Sequence, residues 1–429
     1  MKRLVTLASV AVTAFSAARL QAQAVPDNSA AARVHLGYRR PLNYRMDPFR
    51  HMFNPGWGLT ISVGAWAENN SLNIKDARAL QYIADNDTVL VTDVLDAIGL
   101  IPQGAGFGIS STGEGGLFLG GPIGGHLNVG VSAEAREYGG GFIDDGAISL
   151  FRDGNSGREV FPLGDTHGEA ILTGEVGAHA LLRLGPIGSV DGAVLTLGFG
   201  GRYVWPQGYA RVRSLGEGDT LRLTPDVIAA RFNIETLVTQ DFDSVIPSFD
   251  RGKGMAGDLL LRIEWPTSGF AVEGLLANIG TVTIENVVRR TGELNVSTTN
   301  LIDFADSLDA FEWDSTLVNV EVNLPRLARV SASGWANRIL QLDASASWGL
   351  DTGEYDIPLA VDLGSTWRLV RQLPIRLGIV VGGHQRFGYT GGLAVETGNF
   401  VLQFAGASLG GLFGDARGAA GRFDLGFFF

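Results

Sequence analysis

Apolar and polar residues alternate along much of this chain with a period of two, the spacing that sends neighbouring side chains to opposite faces of an extended strand. Residues 191–205 display it plainly. Ala193, Leu195, Leu197, Phe199, Tyr203 and Trp205 share one face, and Val194, Thr196, Gly198, Gly200 and Arg202 share the other. In 259–265, Leu259, Leu261, Ile263 and Trp265 oppose Arg262 and Glu264. Read as one run, 375–389 sets Ile375, Leu377, Ile379, Val381, Phe387 and Tyr389 against Arg376, His384 and Arg386. Phe400, Leu402 and Phe404 continue the pattern beyond a turn at 397–399. Weaker runs occupy 58–67, 127–136, 169–184, 270–279, 315–322, 328–335, 339–348 and 358–370. At the end of the chain, Phe423, Leu425, Phe427 and Phe429 lie on one face, with Arg422, Asp424, Gly426 and Phe428 on the other.

A soluble chain rarely finishes on an apolar aromatic strand, because chain ends fray into water. A closed barrel in lipid can finish so: its last strand pairs with its first and turns one face to hydrocarbon. A transmembrane strand needs about 9–11 residues. The runs therefore predict an all-β chain, a transmembrane antiparallel β-barrel of about 14 strands, with an allowance of about two either way. Segments that break the alternation are assigned to loops. Residues 76–83 and 93–98 read as short helices, with Asn73 or Asp76 able to cap the first. In 300–314, Leu301, Phe304, Leu308 and Phe311 recur at helical spacing. The stretch 224–250 reads as a longer loop carrying Asp226, Asp241, Asp243 and Asp250.

The first residues have a different character. Lys2 and Arg3 precede an uncharged apolar run from Leu4 to Phe15, and Ala22 and Ala24 offer the small residues of a cleavage site. That pattern predicts an export signal over 1–24. It leaves a short N-terminal periplasmic or plug-like segment, 25–56, ahead of a barrel over 57–429. The expected location is the cell outer membrane.

Composition narrows the classes further. Outside the signal, no apolar run is long enough for a membrane helix. Charged residues make up 18% of the chain, below the roughly 25% of soluble domains. Sixty glycines is about twice the usual share, which suits turns, bends and a crowded inner wall. The formal charge is -12, and removal of Lys2, Arg3 and Arg19 with the signal makes it more negative. Nucleic-acid binding wants a basic face, so no nucleic-acid partner is expected. With no Cys in the chain, there is no lipoprotein anchor, disulfide framework or Cys-based metal site.

Ahead of the first strand, Arg40, Pro41, Leu42, Asn43, Tyr44 and Arg45 lead to Asn54, Pro55 and Gly56. This segment resembles the N-terminal stretch with an Asn-Pro-Ala motif of FadL-type fatty-acid transport barrels, with Gly56 in place of the Ala. Ala67 to Asn73 followed by a helix, the Gly-rich turn from Arg251 into Leu259, and the Leu276-Ala-Asn-Ile-Gly280 strand end are similar to a group of uncharacterised outer-membrane barrels related to TraF-like proteins. The resemblance spans most of the mature chain through short, Gly-rich matches. It implies a porin-like barrel that carries small or hydrophobic molecules, folded by the barrel-assembly machinery among outer-membrane lipids.

A carrier of apolar ligands needs an apolar pocket with a few polar groups to orient a head group. Arg262, Arg376, His384 and Arg386 are the candidates to meet such a ligand in the lumen. The plainer alternative is that inward charges solvate the lumen and pair with residues such as Glu264, since polar interiors are the rule. Asn54, Pro55 and Gly56 are gate candidates, because Pro limits helix and Gly permits bends; a simple turn into the first strand fits them nearly as well. Phe423, Leu425, Phe427 and Phe429 are the expected assembly signal.

Enzymatic readings have less support. The six His residues are His35, His51, His126, His167, His179 and His384, and none sits in a nucleophile motif such as G-x-S-x-G. Asp165, His167 and Glu169 form a cluster better read as a polar turn than as a catalytic dyad. Asp241, Asp243 and Asp250 offer the oxygens Ca²⁺ favours, but without EF-hand spacing. No catalytic residue, metal or cofactor is expected. The expected function is transport of small or hydrophobic molecules; the alternatives are a structural anchor for a secretion or adhesion assembly and, less favoured, a lipid hydrolase.

Overall fold

Among the described residues, eighteen strands form one antiparallel sheet that closes on itself. In chain order they are β1 (Gly58–Asn69), β2 (Phe107–Ile123), β3 (Leu127–Ile143), β4 (Val160–Pro162), β5 (His167–Ile187), β6 (Ala193–Ser214), β7 (Thr220–Leu223), β8 (Ile228–Thr239), β9 (Gly252–Trp265), β10 (Phe270–Thr298), β11 (Asp314–Asn323), β12 (Leu327–Trp335), β13 (Leu340–Gly349), β14 (Ala360–Val370), β15 (Leu373–Gly382), β16 (Phe387–Glu396), β17 (Phe400–Leu409) and β18 (Gly418–Phe428). A helix, α1 (Asp145–Asp153), follows β3, and a 3₁₀ turn over Arg50–Phe53 precedes β1. The computed structural model describes residues 47–429 except 54–55, 74, 76–98, 100, 102–103, 105, 154–158, 188–191, 217, 225, 240–250, 300–312, 351–354, 356, 371, 385 and 398.

The closed wall has 14 staves, because some strands share one. β8 and β9 both pair with β6 on one side and with β10 on the other, at successive heights. β11 and β12 likewise follow one another along β10. β10 is 29 residues long, far beyond the about 9–11 that one crossing requires, so its far half rises with β8 and β11 as a ribbon. β4 and β7 extend that ribbon at its edge. The wall closes where β1 pairs with β18, in a register running from Gly58 with Phe428 to Glu68 with Gly418.

The terminal strand closes the barrel as its alternation predicts. Phe427 and Phe429 face outward and are exposed, whereas Arg422 and Asp424 face inward and are buried. Phe428 turns inward and lies over Gly58 and Gly426, where any Cβ would collide with its ring. The last backbone N–H groups are held too: Phe428 donates to Asn399 O at 2.9 Å and Phe429 to Trp57 O at 2.8 Å.

The same inversion holds round the wall. Leu377 is 61% exposed while its neighbour Arg376 is 2% exposed, and Leu261 is 49% exposed beside Arg262 at 8%. Apolar side chains outside and charges inside suit a surround of hydrocarbon and no other solvent. The turns at 124–126, 266–269, 336–339 and 397–399 gather at the end that holds Trp57 and Phe429; the longer connections, with α1, lie at the opposite end.

Several sequence expectations need correction. Residues 375–389 are two strands, β15 and β16, joined by a tight turn; Gly382 and Gly383 take positive φ there (98° and 73°), as does Arg386 (66°). The outward pattern simply resumes after the turn, which made one run of two. The 224–250 loop contains β8, whose Glu235, Leu237 and Thr239 are buried. β2 and α1 went unread, β2 because its glycines dilute the alternation. Asn278 does not end a strand: it sits within β10 at a register shift, with φ 61°. The expected helices at 76–83 and 93–98, nearly all of 300–314, and the Asp241, Asp243 and Asp250 cluster lie outside the described residues.

Candidate functional site

The inner wall is lined by arginines, and each of the deepest is answered by two carboxylates. Arg202, on β6, donates from Nε and Nη2 to both oxygens of Asp258, at 3.0 Å each, and from Nη1 to Glu175. Arg376, on β15, donates from Nη2 to Asp343 at 2.8 Å and also to Asp362. Arg422, on β18, reaches Glu114 at 2.9 Å and Asp424 at 3.0 Å. Arg262 bridges Glu264 and Glu273 at 3.4 Å. Strand geometry makes this possible: residues i and i+2 share a face, as Arg262 with Glu264 and Arg422 with Asp424, and staves one or two away supply the other acids. Buried ions of one sign alone would cost several kcal/mol each; alternating them removes most of that cost.

Asn278 ties one such network together. Its backbone N–H donates to Asp258 Oδ1 at 3.0 Å, and its Nδ2 donates to Tyr138 Oη at 3.1 Å and Pro325 O at 2.9 Å. Its Oδ1 accepts from Arg202 Nη2 at 2.6 Å. The left-handed backbone at the bulge turns the side chain inward, and Asn tolerates that conformation better than most residues.

At the end that holds Trp57 and Phe429, residues 47–53 enter the lumen. Phe49 and Met52 are fully buried against Phe118, Leu181, Leu260 and Leu275 from four staves. Polar ties hold the segment: Arg329 Nη2 donates to Asp47 Oδ2 at 2.7 Å, Asn128 Nδ2 donates to Met52 O at 2.6 Å, and Arg50 lies 3.5 Å from Asp424. Arg262 stands 5.3 Å from the Phe53 ring centroid. His51 faces Phe118, its ring centroid 5.5 Å away. Burial pushes the His51 imidazole down to about 4, opposed by Asp424 and Asp47 and assisted by Arg422 and Arg50. Between this segment and the wall lies a small polar cleft lined by Asp47, His51, Glu114, Glu134, Arg136 and Arg422.

Beyond this charged belt the inner face turns apolar. Tyr209, Leu237, Val282, Ile284, Val287 and Tyr355 belong to one buried cluster on the β6–β12 side. Val380, Ala405, Ala407 and Leu409, with Trp66 against them, form another on the β14–β18 side.

Of the sequence candidates, Arg262 and Arg376 lie on the inner wall, on separate arcs, and each is neutralised by acids. His384 and Arg386 belong to the turn between β15 and β16 rather than to the wall. The His384 ring nevertheless leans over the mouth, 3.8 Å from where a Cβ on Gly108 would stand. Gly56 is a bend beside the terminus, 3.3 Å from Phe429 O measured to an ideal Cβ; Asn54 and Pro55 lie outside the described residues. Asp165 and His167 form a turn, where His167 Nδ1 lies 2.8 Å from Asp165 O, and Glu169 accepts from Tyr209 Oη at 2.7 Å. Ser132 Oγ lies 3.1 Å from His179 Nε2. His179 Nδ1 has no hydrogen-bond partner among the described residues, so no carboxylate orients the ring as hydrolysis would require. The acid–arginine networks and Asn278 were missed by sequence reasoning. Their trace was present in the same-face pairs Glu134 with Arg136, Arg262 with Glu264 and Arg422 with Asp424.

No protein-family model matches the chain, and no curated protein does. Solved structures similar to it in outline include the toluene transporter TbuX of Ralstonia pickettii, at 11% identity and TM-score 0.45, over 95% of each chain. A Pseudomonas aeruginosa FadL homologue matches at 11% identity and TM-score 0.44, over 95% of this chain and 99% of that one. The Pseudomonas putida toluene transporter TodX matches at 8% identity and TM-score 0.47, over 90% of this chain and 93% of that one.

Proposed function

We propose that this chain is an outer-membrane channel for small hydrophobic molecules. The observation that carries the reading is the layering of the lumen: apolar side chains line the half with the long connections, and a charged belt stoppered by residues 47–53 lies below. Once past the rim, an apolar solute finds favourable surface before it meets the charged belt, and the segment around Phe49 and Met52 is the element that must yield for passage. In this reading residues 1–24 direct export, the assembly machinery recognises the strand from Phe423 to Phe429, and membrane lipid contacts the outward face. Arg262 and Arg376 shape the belt, and Asn54, Pro55 and Gly56 are the gate candidates. The chain is not an enzyme in this reading.

Mass spectrometry of small molecules retained by the purified barrel, with uptake of toluene into liposomes bearing it, tests the proposal. Retained apolar ligand or barrel-dependent uptake supports it. A barrel that neither retains nor passes apolar molecules sinks it and favours the second reading, a closed anchor for a surface assembly. The tight seating of Phe49 and Met52 is the observation on that side.

A further inference from the structure

Several of the inward arginines meet two acids each, and one group stands apart from them. Glu235, on β8, accepts from Arg211 Nη2 at 2.9 Å and Arg213 Nε at 3.0 Å, both on β6, and from Arg289 Nε on β10 at 2.8 Å. The ratio is inverted: three guanidinium groups share one carboxylate, leaving two positive charges in a chain whose formal charge is -12. The acid is buried, but the side chains of Arg213 and Arg289 are 37% and 44% exposed. Arg211 Nε has no hydrogen-bond partner among the described residues. Among the described residues, Glu235 is the one acceptor paired with Arg213 and Arg289.

The group sits on the inner face at the rim with the long connections. Tyr209, Arg211 and Arg213 follow at alternate positions on β6, as do Val287 and Arg289 on β10 and Leu237 and Glu235 on β8. Each stave thus passes from apolar to charged as it nears the mouth. Other charges face the group: Glu169, which accepts from Tyr209 Oη, stands opposite Arg211 on β5 and lowers the local excess to one positive charge, while Glu293 and Arg231 stand further out on the same ribbon face and offset one another.

We propose that Arg211, Arg213 and Arg289, organised by Glu235, form a binding site for a doubly charged phosphate group at the mouth of the barrel. Three converging guanidinium groups outnumber the acids that face them and attract a dianion, and their planar forks suit its oxygens. Chloride, a single sphere, offers no paired oxygens to the forks. The phosphate is carried either by a free solute or by a lipid headgroup, and the site reads the same chemistry in both.

Calorimetric titration of the detergent-purified full chain with inorganic phosphate, in chloride buffer at constant ionic strength, tests this. Saturable binding is expected, weakened at least tenfold in Arg213→Gln and in Arg289→Gln. Arg290→Gln, on the opposite face of β10, should leave it unchanged. Heat-modifiable migration checks folding. If a Gln variant does not close, Arg213→Lys and Arg289→Lys keep the charge but lose the fork, and should bind several-fold more weakly than the unaltered chain. Binding of phosphate identifies a free solute; binding only of phosphatidic acid in mixed micelles, lost in the same variants, identifies a lipid headgroup. Absence of saturable binding with either probe, or equal loss in Arg290→Gln, overturns the proposal.

Discussion

Arg329 and Asp47 meet at 2.7 Å across 282 residues of sequence, and their contact fastens the N-terminal turn to the barrel wall. Both are buried, and Arg329 also reaches Glu273 at 3.4 Å. Removing one member of a buried pair costs about 3–5 kcal/mol, chiefly through the charge left behind. Asp47→Ala should therefore undock residues 47–53 while the wall stays closed. Hydrogen exchange should rise at Phe49 to Phe53 and not in β12. Unchanged protection there would show that the tether does not hold the turn.

Acid should loosen the same turn through His51. Free imidazole titrates near 6.5, whereas the docked group is held down to about 4 by burial. The undocked form therefore binds more protons, and docking weakens as pH falls from about 6.5 to about 4. At the low end the loss is ~3 kcal/mol. The charges round the ring are Asp47 and Arg50 on its own turn, Arg422 and Asp424 on β18, and Glu114 on β2. Exchange rates of residues 47–53 measured across that interval should climb with acid, and His51→Gln should flatten the profile.

Asn278→Gly separates the two roles of that residue. Glycine keeps the left-handed backbone at the bulge but removes the acceptor for Arg202 and the donors to Tyr138 and Pro325. A loss of about 3 kcal/mol in barrel stability is expected from the orphaned partners, read from urea unfolding in detergent. Asn278→Ala should lose more, since it adds backbone strain. Equal stability of Asn278→Gly and the unaltered chain would confine the residue to a conformational role.

The outward face can be tested by charge. Leu261→Arg places a guanidinium at an exposed position near the middle of β9, where lipid should make it cost about 2–4 kcal/mol. A surface Leu in water would tolerate the change within a fraction of that. Folding yield into lipid vesicles decides between them.

Deletion of Phe429 removes an outward aromatic ring and the N–H bond to Trp57 O at the seam between β1 and β18. Slower insertion and a larger unfolded band on gels are expected. Normal assembly would place the recognition signal elsewhere in the strand.

Much of the wall was legible because the period of two is a local property. Leu259 to Trp265 and Phe423 to Phe429 were assigned their faces from neighbours one residue away, and the same arithmetic placed Arg262, Arg376 and Arg422 inside. It failed where local chemistry was mute. Glycine contributes no side chain to an alternation, so β2 was missed, and a tight turn that preserves phase, as at 383–386, made two strands look like one. β8 was hidden because the aspartates that follow it gave the whole stretch the look of a loop.

The sequence by itself therefore determined the class of fold, the inward and outward sides of most strands, and the closing role of the last one, because solvent preference is set residue by residue. Only the tertiary structure decided which charges meet. Asp47 with Arg329, Asn278 with Arg202, and three arginines on Glu235 depend on stave order, register and the bulge in β10. Those are fixed by pairings between strands far apart in the chain, which no local pattern encodes.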